Sequence, residues 1–381
     1  MKYVSLFTGL GGLDLGFELA GHEMLYASDI DPHAVRALQD NAGVFGGAKI
    51  ECADVRALTA NYIRDAVAVP KGAVDCLVGG PPCQSWSSAG KQRGYDDPRG
   101  QLVHDYVRIA KELDVRWIVF ENVRGLLTAR GPSGLPGEAL ELLRQTLLDA
   151  GFQTSVQLLN SADFGVPQRR VRLFIIGYRS GDEPQFPPPT HSKQGDSALL
   201  QWVSMEEAIR GLGPKSEDDV IRPSAKLHAQ LSTLKPGTGV KSPGKPEATR
   251  PGGHWGYKQG AFLADTRLPA RTITASSQQD WIDDPEWGIR KLSPRECARL
   301  QSFPDDWMIT GSKAVQYRLI GNAVPPLLAM KLAQSLLPLK SSPRIEQKAF
   351  EELTPLPSSL RSAIEYTIRD NMRNGASRRA S

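Results

Sequence analysis

Cys83 closes the run Gly79-Gly80-Pro81-Pro82 and opens Gln84-Ser85-Trp86. A cysteine set directly after a strand and two prolines is held on a stiff, exposed turn. Its thiolate is a strong nucleophile once the pKa falls. The other cysteines read as buried structural residues: Cys76 lies within a strand, Cys297 within an amphipathic helix, and Cys52 is placed with them. Glu121, in Phe120-Glu121-Asn122-Val123, stands at another strand's end. A partly desolvated carboxyl there can hold or supply a proton near neutral pH. Taken alone, a turn cap or a surface ion pair is the plainer reading. Gln168-Arg169-Arg170-Val171-Arg172 carries guanidinium groups suited to a phosphate or a base edge, or simply to solvent. Phe7-Thr8-Gly9-Leu10-Gly11-Gly12 follows a strand and opens a helix, where glycines let the backbone approach a ligand. Asp29, about 20 positions on, is placed to accept hydrogen bonds from ribose hydroxyls. Together with the loop it points to a nucleoside cofactor.

The elements that must position these residues alternate. Residues 3–7, 24–28, 74–78, 117–120 and 173–177 read as short strands, and 13–20, 33–41 and 138–150 as helices. Pro32 suits the first turn of the second helix. This alternation predicts a largely parallel, doubly wound α/β sheet, with ligands outside the carboxyl ends of the strands. Each motif lies at such an end. The texture changes near Asp182. Residues 235–258 hold five Lys/Arg against one acid, with six Gly and four Pro, and predict a loop-rich second domain. Ser293 and Glu296 predict a capping box on a helix over 293–300. Another helix is expected over 324–337 and one more over 360–372, followed by a disordered end.

The bulk properties narrow the class. The chain has 381 residues, 40% apolar and 23% charged, with a net charge of +4. That is globular and mildly basic, which permits a nucleic-acid partner without demanding one. The cysteines show no zinc or disulfide spacing, which fits a reducing compartment. No apolar run approaches the roughly 20 residues of a membrane span, and the start lacks a signal peptide's pattern. A cytoplasmic location, away from membranes, is expected.

The motifs become specific through their order: glycine loop, acidic strand end, Pro-Pro-Cys-Gln, Glu-Asn-Val, Gln-Arg-Arg-x-Arg, a variable stretch, then Gly-Asn-Ala-Val-Pro-Pro from Gly321. In this order they resemble the bacterial DNA (cytosine-5) methyltransferase family over about residues 3–329. The resemblance implies a Rossmann-like mixed sheet of the S-adenosylmethionine-dependent methyltransferase fold, with a smaller, loop-rich target-recognition domain. It implies a catalytic and cofactor-binding domain over 1–184, target recognition over 185–292, a return segment over 293–338 and a tail over 339–381. Cys83 matches the cysteine that attacks carbon 6 of a flipped-out cytosine. Glu121 matches the acid on ring nitrogen 3 and the exocyclic amine, and Arg172 the arginine on the carbonyl; Arg170 is placed with them. S-adenosylmethionine is the implied cofactor. Phe7 and Ile30 are expected against its adenine, Asp29 on its ribose and Asp54 on the adenine amine. Gly9, Leu10, Gly11, Gly12, Val55, Pro81, Leu102, Asn322 and Val324 complete that site by match.

Two positions depart from the family pattern. Asp29 stands where Glu is usual, and Trp86 where Phe is common. Residues 84–100 match a mobile lid, with glycines suited to a hinge. Gln84, Ser85, Arg250, Trp255, Tyr257, Arg267 and Arg271 are expected to meet duplex DNA, the arginines as candidates for reading guanine. A monomer is expected, in a restriction–modification system with a separate cognate endonuclease or as a solitary methylase. Three rivals remain open at this point: a tRNA cytosine-5 methyltransferase of the same fold, a catalytically silent DNA-binding relative, and a nicotinamide-dependent oxidoreductase suggested by the glycine loop alone.

Overall fold

The computed structural model describes residues 1–82, 102–179, 182–245, 259–338 and 350–379, with backbone alone beyond 371. Strands and helices alternate through the first part as β1 (Lys2–Leu6), α1 (Gly12–Leu19), β2 (Glu23–Asp29), α2 (Pro32–Asp40), β3 (Lys49–Cys52), α3 (Ala60–Ala66), β4 (Cys76–Gly79), α4 (Leu102–Leu113), β5 (Trp117–Val123), α5 (Glu138–Asp149), β6 (Gln153–Asn160) and β7 (Val171–Tyr178). They form one seven-stranded sheet, ordered β3-β2-β1-β4-β5-β7-β6. Strands β1 to β5 pair in parallel, while β7 runs antiparallel between β5 and β6. A parallel sheet buried on both faces needs near-continuous apolar strands. Trp117, Ile118, Val119 and Phe120 are accordingly all fully buried.

Successive side chains leave on opposite faces. Tyr3, Cys76, Val78, Trp117 and Val119 join one apolar cluster, and Val4, Leu77, Ile118 and Phe120 join the other. The first cluster is covered partly by α1 and by a helix from the far end of the chain. Four short helices follow β7: α6 (Met205–Ile209), α7 (Ala225–Leu231), α8 (Pro294–Leu300) and α9 (Lys313–Asn322). Then come α10 (Pro326–Leu336) and α11 (Ser358–Arg379). The covering helix is α10, and glycines set its approach. A Cβ on Gly12 would lie 2.0 Å from the Val324 carbonyl oxygen, and one on Gly16 would lie 2.4 Å from the Ala329 Cβ. Glycine at these two positions, one turn apart, lets the chain at 324–330 lie against α1.

Between β7 and α8 the strands are short. β8 (His191–Ser192) and β9 (Leu200–Gln201) pair with each other, and β10 (Thr238–Gly239), β11 (Phe262–Leu263), β12 (Trp281–Asp284) and β13 (Gly288–Lys291) form a four-stranded sheet. Its own core is small: Leu231, Leu263, Trp281 and Ile289. The capping box on α8 is present. Ser293 Oγ accepts from the Glu296 N–H at 3.2 Å, and Glu296 Oε2 accepts from the Ser293 N–H at 2.7 Å.

Several expectations are corrected. β5 does not stop at Phe120 but runs through Val123, so Glu121 and Asn122 belong to the ladder. Cys52 is exposed, because it ends β3, the edge strand of the sheet. β3, α3, α4 and β6 were not read from the sequence. The final helix begins at Ser358 and continues to Arg379, where a disordered end was expected. The chain leading into it and its first turn are anchored to the seven-stranded sheet and its second cluster. Leu360 is buried in the second cluster, and Gln153 bonds the Glu352 carbonyl at 2.8 Å and the Thr354 N–H at 3.2 Å. Among the described residues, no helix is long and apolar enough to cross a membrane.

Candidate active site

The carboxyl ends of β1, β2 and β3 enclose a cavity of about 140 Å³. Phe7, Asp29, Ile30, Asp54, Val55 and Leu102 line it, six of the expected cofactor residues. Leu6, Ser28, Ala53 and Arg56 line it as well and were not anticipated. Phe7 holds φ of +58°, a left-handed conformation that costs a non-glycine residue roughly 1–2 kcal/mol. Two hydrogen bonds hold the turn there: Thr8 N–H to the Ser28 carbonyl at 3.3 Å and Gly9 N–H to Asp29 Oδ2 at 2.8 Å. Asp29 Oδ1 accepts from the Asp31 N–H at 2.9 Å. Burial nevertheless raises the Asp29 pKa. Each of its oxygens keeps a second lone pair, so the carboxylate is oriented by the fold and still able to accept from a ligand.

Ile30 is 62% exposed on the cavity wall, an apolar surface with nothing covering it. Asp54 is engaged by a neighbour: Arg56 Nε lies 3.0 Å from both of its oxygens, and the guanidinium lowers its pKa. Such an exposed pair is weak and rearranges readily. The remaining expected cofactor residues are placed elsewhere. Leu10 is fully buried in the first apolar cluster. Gly11, at φ +79°, precedes α1, and the space cleared by Gly12 is filled by the Val324 carbonyl. Gly9 contributes its N–H to Asp29 rather than lining the cavity, and Pro81, Asn322 and Val324 are also absent from its wall.

Glu121 lies on β5, two strands from β1 in the sheet order. That is about 10 Å along the same sheet edge. Val123 of β5 faces Arg172 of β7, so Glu121 is the diagonal neighbour of Arg172 across the ladder. Arg172 Nε reaches Glu121 Oε1 at 3.1 Å, with both side chains at least 87% shielded. Burial raises the Glu121 pKa, while Arg172 and then Arg170 pull it down without cancelling the effect. A Cβ on Gly80 would lie 2.9 Å from Glu121 Oε2, so the glycine makes room for the carboxylate. Asn122 Nδ2 donates to the Pro81 carbonyl at 3.0 Å. The acid and its neighbour therefore fix the two residues just ahead of Pro82-Cys83. Cys83, Gln84, Ser85 and Trp86 themselves lie outside the described residues, as do Arg250, Trp255 and Tyr257.

Arg170 is corrected. Its guanidinium is buried, and its terminal nitrogens donate to the carbonyls of Ile273 at 3.0 Å and Gly321 at 2.8 Å. It clamps two distant segments instead of facing a substrate. Gln168 does the same, accepting from the Ile273 N–H at 2.9 Å and donating to Gln301 Oε1 at 2.9 Å. Gly321 completes the clamp, since a Cβ there would lie 2.2 Å from the Thr274 carbonyl. Gln301 and this use of Gln168 escaped the sequence reading, because their partners lie more than 100 residues apart along the chain. Arg271 is also corrected. Its guanidinium carbon sits 3.9 Å from the Phe262 ring centre, and its Nε bonds Asp280 at 3.1 Å, so its half-buried side chain packs against the four-stranded sheet. Arg267 remains exposed, paired with Asp265 at 2.8 Å.

The desolvated carboxyl–guanidinium pair, the Gly80-Pro81 segment beside it and the cavity lined by Phe7, Asp29 and Ile30 thus share one sheet edge. Residues 1–337 match the family model for C-5 cytosine-specific DNA methylase. The chain belongs to this family. Among curated relatives of this methylase, the type II methyltransferase M.FnuDI of Fusobacterium nucleatum is 31% identical over 358 residues, covering 88% of this chain and 94% of that protein. M1.HphI of Haemophilus parahaemolyticus, also a type II methyltransferase, is 32% identical over 351 residues, covering 90% and 88%. A solved structure of a prophage-encoded DNA modification methyltransferase from E. coli superimposes with a TM-score of 0.67 at 21% identity, covering 89% of this chain and 99% of that one. That likeness shows the fold, the α/β sheet of these methyltransferases.

Proposed function

We propose that this methylase transfers the methyl group of S-adenosylmethionine to carbon 5 of a cytosine flipped out of a short, specific duplex sequence. The observation that carries the reading is the Glu121–Arg172 pair, 3.1 Å apart and buried, against the turn that leads to Cys83. Residues at the ends of β1 to β3 would hold the cofactor: Asp29 offers lone pairs to ribose hydroxyls, while Phe7 and Ile30 offer apolar surface for a base. When bound, the cofactor supplies an electrophilic methyl on a sulfonium. Asp54 would hold the adenine amine by exchanging its bond to Arg56.

Cytosine carbon 5 is a poor nucleophile. The Cys83 thiolate forms a bond to carbon 6, and electron density moves to carbon 5 and onto the ring. Glu121 protonates or shares a proton with ring nitrogen 3, and Arg172 stabilises the carbonyl oxygen. Burial of Glu121 favours the protonated form this step uses. The carbon 5 electron pair then takes the methyl, and the S–CH3 pair stays on the departing sulfur as a neutral thioether. Loss of the carbon 5 proton to a base reached through water expels the Cys83 thiolate and breaks the sulfur–carbon bond. Flipping costs a few kcal/mol, which contacts in the extrahelical site repay.

We assign residues 185–292 to target recognition, with Arg267, exposed and paired only with Asp265, able to exchange that surface pair for a base edge or phosphate. The type II relatives favour duplex DNA over RNA as substrate and favour a restriction–modification setting, with the endonuclease a separate protein acting on the same sequence. The chain acts as a monomer in the cytoplasm. Cys83→Ala should abolish methylation of duplex DNA while leaving cofactor affinity within twofold. Full activity in that variant would remove the covalent route.

A further inference from the structure

A second cavity, of about 310 Å³, lies where the four-stranded sheet meets α8 and α9. Lys215, Lys291, Lys313 and Arg295 line it, against one further acid, Asp219, whose Oδ2 accepts from the Lys215 N–H at 3.3 Å and from Ser216 Oγ at 3.2 Å. Arg290 also lines it, but its charge is met by Asp284 and Glu296, each 2.7 Å away. The other cations are not met in this way. Lys215 and Lys313 are exposed, and neither ammonium has an ion-pair partner among the described residues. Lys291 is half-buried, donates only to the Ser277 carbonyl at 3.2 Å and lies 5.0 Å from the Trp281 ring centre. Burial lowers its pKa, and no carboxylate opposes that. Arg295 spends its terminal nitrogens on the carbonyls of Pro304, Asp305 and Trp307, while its buried Nε has no partner.

Around this one concave site Arg295 feels Asp305 and Asp306, while the three lysine ammoniums have no ion-pair partner among the described residues, so the cations repel one another. They are stabilised by an anion that touches several at once. The cavity walls come from both sides of the junction: Lys215 and Lys291 from the variable stretch, Lys313 and Arg295 from the return segment. Ser277, the partner of Lys291, sits three residues from Thr274, which abuts Gly321 in the clamp made by Arg170.

We infer that this cavity seats a phosphate group, and that its source is a backbone phosphate of the bound duplex. The inference rests on the DNA reading above and adds to it a grip on the backbone at the module junction, away from Glu121. A phosphate held there registers the variable module and the catalytic half against one strand at the same time.

The test uses the full chain with Lys215→Ala/Lys313→Ala and, for comparison, Lys215→Arg/Lys313→Arg. Both lysines are exposed, so neither double variant should disturb folding. Duplex affinity is measured from 0.05 to 0.3 M salt, alongside a cofactor titration and methylation at saturating DNA. The alanine variant should bind duplex about 10-fold more weakly, with the slope of log affinity against log salt reduced by about one. The arginine variant should restore both, with cofactor affinity and saturated turnover unchanged throughout. Unchanged duplex affinity and slope in the alanine variant would overturn the inference. If orthophosphate or pyrophosphate raised the Tm of the wild-type chain but not of the alanine variant, with duplex affinity unaffected, the seat would belong to a free anion and the duplex assignment would fall. A wild-type chain that binds cofactor but neither binds nor methylates DNA would sink the functional reading, and the duplex as phosphate source with it.

Discussion

The strand ends of the seven-stranded sheet and the four-stranded sheet beyond it are held by opposite means. At the first, backbone and apolar contacts do the positioning: strands buried on both faces, Gly12 against the Val324 carbonyl, Gly9 tethered to Asp29. At the second, four apolar residues form the core, and charged clasps carry the rest: Arg290 on Asp284 and Glu296, Arg271 on Asp280. Chemistry needs atoms fixed to within a fraction of an ångström, which a dense apolar core supplies. The second region, proposed above to select the sequence, can vary its surface provided its clasps stay paired. The clamp of Gln168, Arg170 and Gly321 joins the two regimes.

That contrast can be broken from either side. The largest effect on stability is expected at Arg290. Arg290→Ala strands Glu296 and Asp284 and should destabilise the variable module by about 3–5 kcal/mol. Denaturant unfolding should then separate into two transitions, with duplex binding lost and cofactor binding kept. Loss of both together would show that the regions are one cooperative unit. Next comes Glu121→Gln, which should lower kcat about 100- to 1,000-fold with cofactor affinity unchanged.

The pH dependence sharpens this. Glu121 already has a raised pKa, and its work as a proton donor fades as pH rises through that value. Arg172 pulls that pKa down, so Arg172→Ala should move the alkaline limb of the residual activity to higher pH. A limb that moves to lower pH would contradict the pairing. Gly12→Ala should cost about 1–3 kcal/mol by overpacking against Val324, read in Tm, and should weaken the cofactor. The smallest change is expected for Arg271→Lys, which keeps the charge on Asp280 but loses the planar stack on Phe262. A loss of about 0.5–1 kcal/mol with unchanged site preference would fit its packed position. Altered site preference would return Arg271 to base reading.

The same contrast explains what the sequence disclosed. Asp29 and Glu121 stood out because the apolar runs of β2 and β5 stop at an acid, although β5 itself continues through Val123. The capping box of Ser293 and Glu296 was legible from its own local spacing. Arg170 was not, since nothing near it in the chain announces the carbonyls of Ile273 and Gly321. Gly12 belongs to the glycine loop by pattern, yet its missing Cβ serves helix packing, which the pattern cannot distinguish from ligand approach. β3 and β6 carry polar residues at positions a buried strand would fill with apolar ones, and α11 has too few apolar positions to stand out from a charged tail. Arg267 and Arg271 look alike in sequence. Only the fold separates the exposed one from the one stacked on a ring.

The central claim is that this sheet edge methylates carbon 5 of cytosine while the module beside it chooses where. The direct measurement is transfer of labelled methyl from S-adenosylmethionine to unmethylated plasmid DNA, followed by base-resolution mapping of 5-methylcytosine. The account predicts label on carbon 5 of cytosines within one short sequence. No transfer to duplex DNA by a chain that binds the cofactor, or label on any other atom, would contradict it.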